Sequence, residues 1–430
     1  MIIDAKRKNV NWLSGIDAEY RNVIKSDFVR KVGETFATRV FLIGIGLVTS
    51  VLVARILGPE GRGLYAVAVA VGAIGVQFGN FGLHASNTYY VAKDKKLLPE
   101  LIGNTLSASF LFGGLGALLA WVVFFIWPNL APVHGVLLVL ALAWIPFGLA
   151  YLLLQNLLLG IHEVRAYNKI ELINQIVGVI LIGLVILAGI VRAEIVFSSG
   201  LAALLAGFFL ALRALRQHLK EFPMPSMSLF KKNIRYGIRA YLAAFFAFLV
   251  LRIDLLMIKY ILGAEQAGYY SIAVSMADMI NMLPVVVGTI LFPKLSALIN
   301  NDAKWNIAKK TALGVGIMMI ILTSCAALLA KPAITILFGK SFMPAVPAFI
   351  WLMPGIVFLS INIIYMNYFA STGMPSITIY SPAIAALCNI LLNLKLIPLL
   401  GIVGASFSSV FSYGIMLGGS VLYISYGKRK

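Results

Sequence analysis

The places in this 430-residue chain where chemistry could occur are few: Arg39, Arg252, Asp254, Asp278, Asn389 and Asn393. All lie inside long apolar runs. A charge carried into hydrocarbon is costly, so such residues pair with one another or face a cavity. Arg252 and Asp254 are two positions apart and point to nearly opposite sides of a helix, so they do not simply pair. Arg252 and Asp278 sit at similar depth when counted from the turn between their runs. They are expected to meet across a helical hairpin, as a structural bridge or as a gate. Desolvation favours the neutral form of an unpaired carboxylate, so Asp278 could take up a coupling proton when it lacks Arg252. Arg39 either lines a cavity or snorkels to headgroups. Asn389 and Asn393, four apart, share one helix face, as do Asn362 and Tyr365. Such polar faces serve as glue between helices or as the wall of a polar binding site.

The elements that position these residues follow from composition. Hydrophobic residues make up 61% and charged residues 12%, against about 25% charged in soluble chains, and the mean hydropathy is +0.95. The expectation is an all-α polytopic membrane protein. Runs long enough to span, about 20 apolar residues each, occupy 34–57, 63–84, 101–127, 133–159, 170–191 and 194–216 in the first half. The second half has 236–262, 268–292, 307–330, 345–370, 375–400 and 402–426. This predicts twelve transmembrane helices in two six-helix lobes around a central cavity. The division is a basic, amphipathic segment 1–33, an N-lobe 34–216, a linker 217–235, a C-lobe 236–426 and a basic tail 427–430.

The two lobes are related by an internal repeat. Leu57, Gly58, Glu60, Gly63, Tyr65, Ala68 and Val69 recur as Leu262, Gly263, Glu265, Gly268, Tyr270, Ala273 and Val274. Each copy is a short polar turn between two apolar runs, the tip of a helical hairpin. A half-chain period in so apolar a chain is the mark of a transporter-like repeat pair.

The net charge is +19, and its placement argues for membrane orientation, not nucleic-acid binding. With the N-terminus inside, 26 Lys and Arg fall in cytoplasmic segments and 7 outside, Arg55 and Arg62 among the latter. By the positive-inside rule both termini and the linker are cytoplasmic. Residues 1–31 have no apolar signal-peptide core. Cys325 and Cys388 fall inside apolar runs, four scattered His make no metal spacing, and no nucleotide motif is present. Outer loops too short for a catalytic constellation argue against an enzyme. Gly113, Gly114 and Gly116 lie in an apolar helix and are expected to serve close packing.

Three segments carry a family resemblance. Val53-Ala-Arg-Ile-Leu-Gly-Pro-Glu-Gly-Arg-Gly-Leu-Tyr65 is similar to the signature after the first helix of bacterial polysaccharide-export flippases. The stretch from Arg252 through Asp254 to Tyr270 resembles their second-lobe start, and Cys388-Asn389 through Asn393, Pro398 and Gly404 their late helix pair. The chain thus resembles Wzx-type (O-antigen) oligosaccharide flippases of the multidrug/oligosaccharidyl-lipid/polysaccharide exporter superfamily. It departs from the lipid II flippases of that superfamily, having Thr49 and Ser50 where they carry paired charges.

The resemblance implies flipping of undecaprenyl-pyrophosphate-linked sugar units across the bacterial cytoplasmic membrane by alternating access, for O-antigen, capsule or exopolysaccharide. It implies Arg39 and Arg252 as pyrophosphate partners, since Arg binds such groups bidentately. Asn389 and Asn393 become sugar contacts, and Asp254 and Asp278 coupling or gating groups. No cofactor is expected; a coupling ion, if one is used, would be H+ or Na+. Partners would be the lipid carrier, membrane lipids, and a polymerase and glycosyltransferases of the same assembly line. The alternatives are a cation-coupled drug or metabolite exporter of the same superfamily and, further off, a membrane-embedded glycan polymerase or ligase.

Overall fold

In hydrocarbon every backbone N–H and C=O has to be satisfied within its own segment, so apolar runs fold as helices. The computed structural model is helical throughout, with no strand among the described residues. It describes the backbone of residues 10–219 and 221–427, and the side chains of 38–219 and 221–426. The amphipathic side-chain pattern of segment 1–33 and the basic residues 428–430 lie outside the described residues. Residues 1–44 form one unit and 45–430 another.

The first half contains α1 (Val10–Asn80), α2 (Leu83–Lys93), α3 (Leu98–Ala108), α4 (Gly114–Ile126), α5 (Gly135–Gly160), α6 (Val164–Leu187) and α7 (Ala193–Arg216). The second contains α8 (Met227–Leu262), α9 (Ala264–Ser296), α10 (Asn301–Leu328), α11 (Ala330–Phe338), α12 (Ala345–Ser371), α13 (Ile377–Leu400) and α14 (Ile402–Gly427). Among the described residues eleven helices are long and apolar enough to cross a membrane. One of these stretches, Thr38–Asn80, has 43 residues, or about 64 Å at 1.5 Å per residue, twice a hydrocarbon core of about 30 Å. It is broken at Gly58, whose φ of 65° and ψ of −177° are non-helical, with Pro59 following. A left-handed φ of this kind is open to glycine at little steric cost. The stretch is therefore two crossings, and the total among the described residues is twelve.

Two local features differ from the sequence reading. Between the ninth and tenth runs lies α11, nine residues long, whose buried Ala330, Ile334 and Phe338 recur every fourth position. It is too short to span and was not visible as an apolar run. Gly114 and Gly116 do not serve close packing: a Cβ at either would meet nothing within 4 Å. Only Gly113 is packed, 3.1 Å from the Pro146 Cα by the same measure. It closes a wide helical turn, Ser109–Gly113, between α3 and α4.

Within residues 45–430 the two halves meet at both ends of their helices. At one end, here the tip end, the duplicated turns pack backbone to backbone. A Cβ on Gly63 would lie 1.8 Å from the Ala264 carbonyl oxygen, and one on Gly268 1.9 Å from that of Pro59. At the other, the linker end, Gly82 and Gly237 are in similarly close contact. There Asn233 donates to Asn87 (3.1 Å), Asn87 to Thr105 (2.9 Å), and Asn104 to the Ser226 carbonyl (3.0 Å). In the second half α8 packs on α13, α9 on α12, and α14 on both α12 and α13.

Candidate functional site

The stagger of Arg252 and Asp254 sends them into different surroundings from one helix, α8. Arg252 reaches α9, where its Nη1 donates to Asp278 Oδ2 at 2.9 Å. The pair is only partly enclosed, the side chains being 33% and 41% exposed. Asp254 turns inward and is 3% exposed. Its Oδ2 accepts from Tyr270 Oη at 2.8 Å on α9 and from Ser409 Oγ on α14, and its Oδ1 accepts from Asn393 Nδ2 at 2.8 Å on α13. Asn393 Nδ2 also donates to Asn389 Oδ1 at 2.9 Å. Four helices thus converge on one carboxylate.

That convergence brings together three of the residues singled out in the sequence: Asp254, Asn389 and Asn393. In this conformation both asparagines are fully buried against Asp254 and present no wall to a sugar. Arg252 and Asp278 form a second, more open centre, also between α8 and α9. Arg39 belongs to the unit of residues 1–44 and is half-buried. Asn362 accepts from Ser420 at 2.8 Å, and Tyr365 stacks on Trp305 with centroids 5.9 Å apart. The first is a polar link between α12 and α14, the second an aromatic one between α12 and α10.

The Asp254 cluster is not saturated. Buried polar side-chain atoms are nearly always hydrogen-bonded. Among the described residues five have no partner, and two of them, Asn389 Nδ2 and Asn393 Oδ1, are here. One carboxylate with amide and hydroxyl oxygens is a donor set suited to a hard cation. Asp254, Asn389, Asn393, Ser409 and Tyr270 are the residues that would hold one.

Sequence reasoning missed Tyr270 and Ser409 as partners of Asp254. Tyr270 lies in the repeated motif, which was a signal; Ser409 is one serine among several in α14 and carried none. Arg62, counted in the sequence only as an outer-side charge, is buried, at 6% exposed. Its Nε donates to Ser271 (3.2 Å) and its Nη2 to Ser275 (3.1 Å) and Ser50 (3.3 Å), with the Tyr65 ring beneath at 5.6 Å.

Comparison with known proteins agrees with this architecture. Residues 28–299 match the family described as Polysaccharide biosynthesis protein. An uncharacterized membrane protein of Methanocaldococcus jannaschii is 25% identical, the match covering 86% of this chain and 79% of that one. Among solved structures, the lipid II flippase MurJ in an inward closed conformation superposes with a TM-score of 0.71 at 15% identity, covering 91% of this chain and 86% of that one. An inward-facing multidrug resistance MATE family transporter of the MOP superfamily gives 0.68 at 14% identity, covering 90% and 95%. The fold is that of this superfamily.

Proposed function

This chain belongs to the polysaccharide biosynthesis protein family, and from that premise we propose that it flips a prenyl-pyrophosphate-linked oligosaccharide across a membrane. The tip end would face outward and the linker and both termini the cytoplasm, the orientation favoured by the Lys and Arg distribution. A polar headgroup cannot cross hydrocarbon, while a prenyl tail need not leave it. Two lobes that separate at one end and then the other move the headgroup between them, and the tail stays in lipid.

The observation that carries this reading is the Arg252–Asp278 pair. It lies within the spans of α8 and α9 yet is one-third exposed or more. A charge pair in that position is expensive against lipid and sustainable against a water-filled space between lobes. Arg252 offers a planar fork to a phosphate, and Asp278 holds that fork until substrate takes it. The bacterial cytoplasmic membrane is the assigned location.

Coupling is assigned to Asp254, with Asp278 as the gate. The buried carboxylate and the unsatisfied acceptor Asn393 Oδ1 favour a small cation, H+ or Na+, held by oxygens of Asp254, Asn389, Asn393, Ser409 and Tyr270. Such an ion supplies positive charge that ties α8, α9, α13 and α14 together. The two asparagines are thereby assigned to positioning Asp254, not to touching sugar.

Purified protein in vesicles, supplied with a fluorescent prenyl-pyrophosphate oligosaccharide, tests the reading. Protein-dependent flipping that an imposed Na+ or H+ gradient accelerates is the expected result. Export of cationic dyes with no movement of the lipid-linked sugar would instead establish the drug-exporter alternative.

A further inference from the structure

Arg62 is a buried guanidinium with no carboxylate beside it among the described residues. Its partners are three neutral hydroxyls, Ser50 and Ser271 and Ser275, and the face of Tyr65. Arginine stays charged under all ordinary conditions, so burial cannot be relieved by losing a proton. A buried charge without a counter-charge is a destabilising arrangement unless something compensates it. Donors are also in excess. The guanidinium brings five N–H groups and each hydroxyl one O–H. Of the three hydroxyl hydrogens, the Ser271 one goes to the Gly268 carbonyl at 2.8 Å.

The arrangement is specific to one direction across the seam. At the repeat offset Arg62 corresponds to Ala267, while Ser271 and Ser275 correspond to Ala66 and Ala70. The first copy supplies the cation and the second its acceptors. The cluster sits one helical turn inside the Gly63–Gly268 contact, where the two lobes close at the tip end. Parting the lobes there takes Ser271 and Ser275 away from Arg62 and opens room beside it.

We propose that Arg62, with Ser50, Ser271 and Ser275, is an anion-sensitive latch: the hydroxyls hold it in the closed tip end, and a phosphate group takes it over as that end opens. A phosphate oxygen outcompetes a neutral hydroxyl for a guanidinium because the bond is charge-assisted on both sides. An anion that binds the open arrangement better than the closed one shifts the population toward opening. The headgroup phosphate would thereby favour its own exit. The inference rests on the lobes alternating, but not on which glycan is carried.

The test uses full-length protein in nanodiscs with Cys325 and Cys388 replaced and spin labels at Asn129→Cys and Lys340→Cys, exposed tip-end positions in opposite lobes. Inorganic pyrophosphate and a prenyl pyrophosphate in the nanodisc lipid are the two probes, with sodium chloride at matched ionic strength as control. The long-distance population is expected to rise about fivefold with pyrophosphate, the low end of ordinary coupling between sites. R62K should keep part of the response, R62Q should lose it, and S271A/S275A should show a larger open population before any anion is added. A response to the lipid-borne probe alone supports the latch and restricts its anion to the headgroup. No response of the unsubstituted protein to either probe, an equal response to chloride, or an undiminished response in R62Q overturns it. This readout is gate position, so its failure leaves the vesicle transport result standing, and absent transport with an intact response overturns only the substrate reading.

Discussion

Asp254 accepts three hydrogen bonds and is nearly sealed, whereas Arg252 and Asp278 share one bond and remain partly open. The two centres should respond differently to substitution. Breaking a fully buried pair costs about 3–5 kcal/mol, but the partial exposure of Arg252 and Asp278 to the proposed water-filled space would bring the cost nearer the roughly 1 kcal/mol of exposed pairs. Arg252→Ala and Asp278→Asn should therefore leave abundance in the membrane near normal while vesicle transport falls sharply. Parallel loss of abundance in both, restored in the double variant, would mark the pair as structural. Asp254→Ala strands Tyr270, Ser409 and Asn393 donors at about 1–3 kcal/mol of destabilisation, visible as a lower melting temperature in detergent. Asp254→Asn keeps the shape, and its expected signature is transport that no longer answers to a Na+ or H+ gradient. A normal gradient response in Asp254→Asn would remove Asp254 from coupling. The Arg252–Asp278 encounter was legible in the sequence because hairpin neighbours can be compared by depth. The Asp254 cluster was not, since apart from Tyr270 its members come from α13 and α14, 135 or more positions on, and no local pattern says which helices pack.

At the scale of elements, the repeated turns show how a motif acts as a surface. Gly63 and Gly268 face the opposing backbone, so an added methyl cannot be relieved by a rotamer change and the turns themselves have to separate. Gly63→Ala and Gly268→Ala are expected to hold the tip end open, with Gly46→Ala, where a Cβ meets nothing within 4 Å, as the neutral control. The measurement is maleimide labelling of Ala264→Cys in a background lacking Cys325 and Cys388: faster labelling in the two tip variants, unchanged in the control. Unchanged labelling in all three would show that the tips are not the seam. The repeat itself was plain in the sequence, but not that its copies touch, because internal similarity reports common shape and not contact. The helices were legible for a simpler reason: twenty apolar residues have one economical conformation in lipid. The short α11 escaped because nine amphipathic residues leave no such trace, and Arg62 because a charge near a turn looks solvated until a partner lobe covers it.

Across the whole molecule the repeat is unequal in chemistry. At the repeat offset the positions of Arg252, Asp254 and Asp278 are Leu47, Thr49 and Ala73, so the intramembrane charge cluster belongs to the second half alone. The first half answers with Arg62, aimed at second-half serines. On the proposed reading one lobe carries the coupling chemistry and the other a latch, and transport would require the two to part at each end in turn. Two cross-links separate this from a channel or a rigid scaffold. At the tip end Tyr260 Oη donates to the Leu130 carbonyl, so Tyr260→Cys with Leu130→Cys can be bridged by a short bifunctional thiol reagent. At the linker end the Asn233 and Asn87 side chains are 3.1 Å apart, and Asn87→Cys with Asn233→Cys can be bridged likewise. Alternating access predicts that either bridge alone halts flipping in vesicles and that a cleavable reagent, once reduced, restores it. Each single-cysteine variant treated with the same reagent should transport normally, which isolates the bridge from the modification. A channel held shut at one end would also stop with the tip bridged, but it would show no counterflow stimulation in the unbridged protein, whereas alternating lobes return faster when loaded from the far side. Normal flipping with either end bridged would rule out rocking of the lobes as the mechanism.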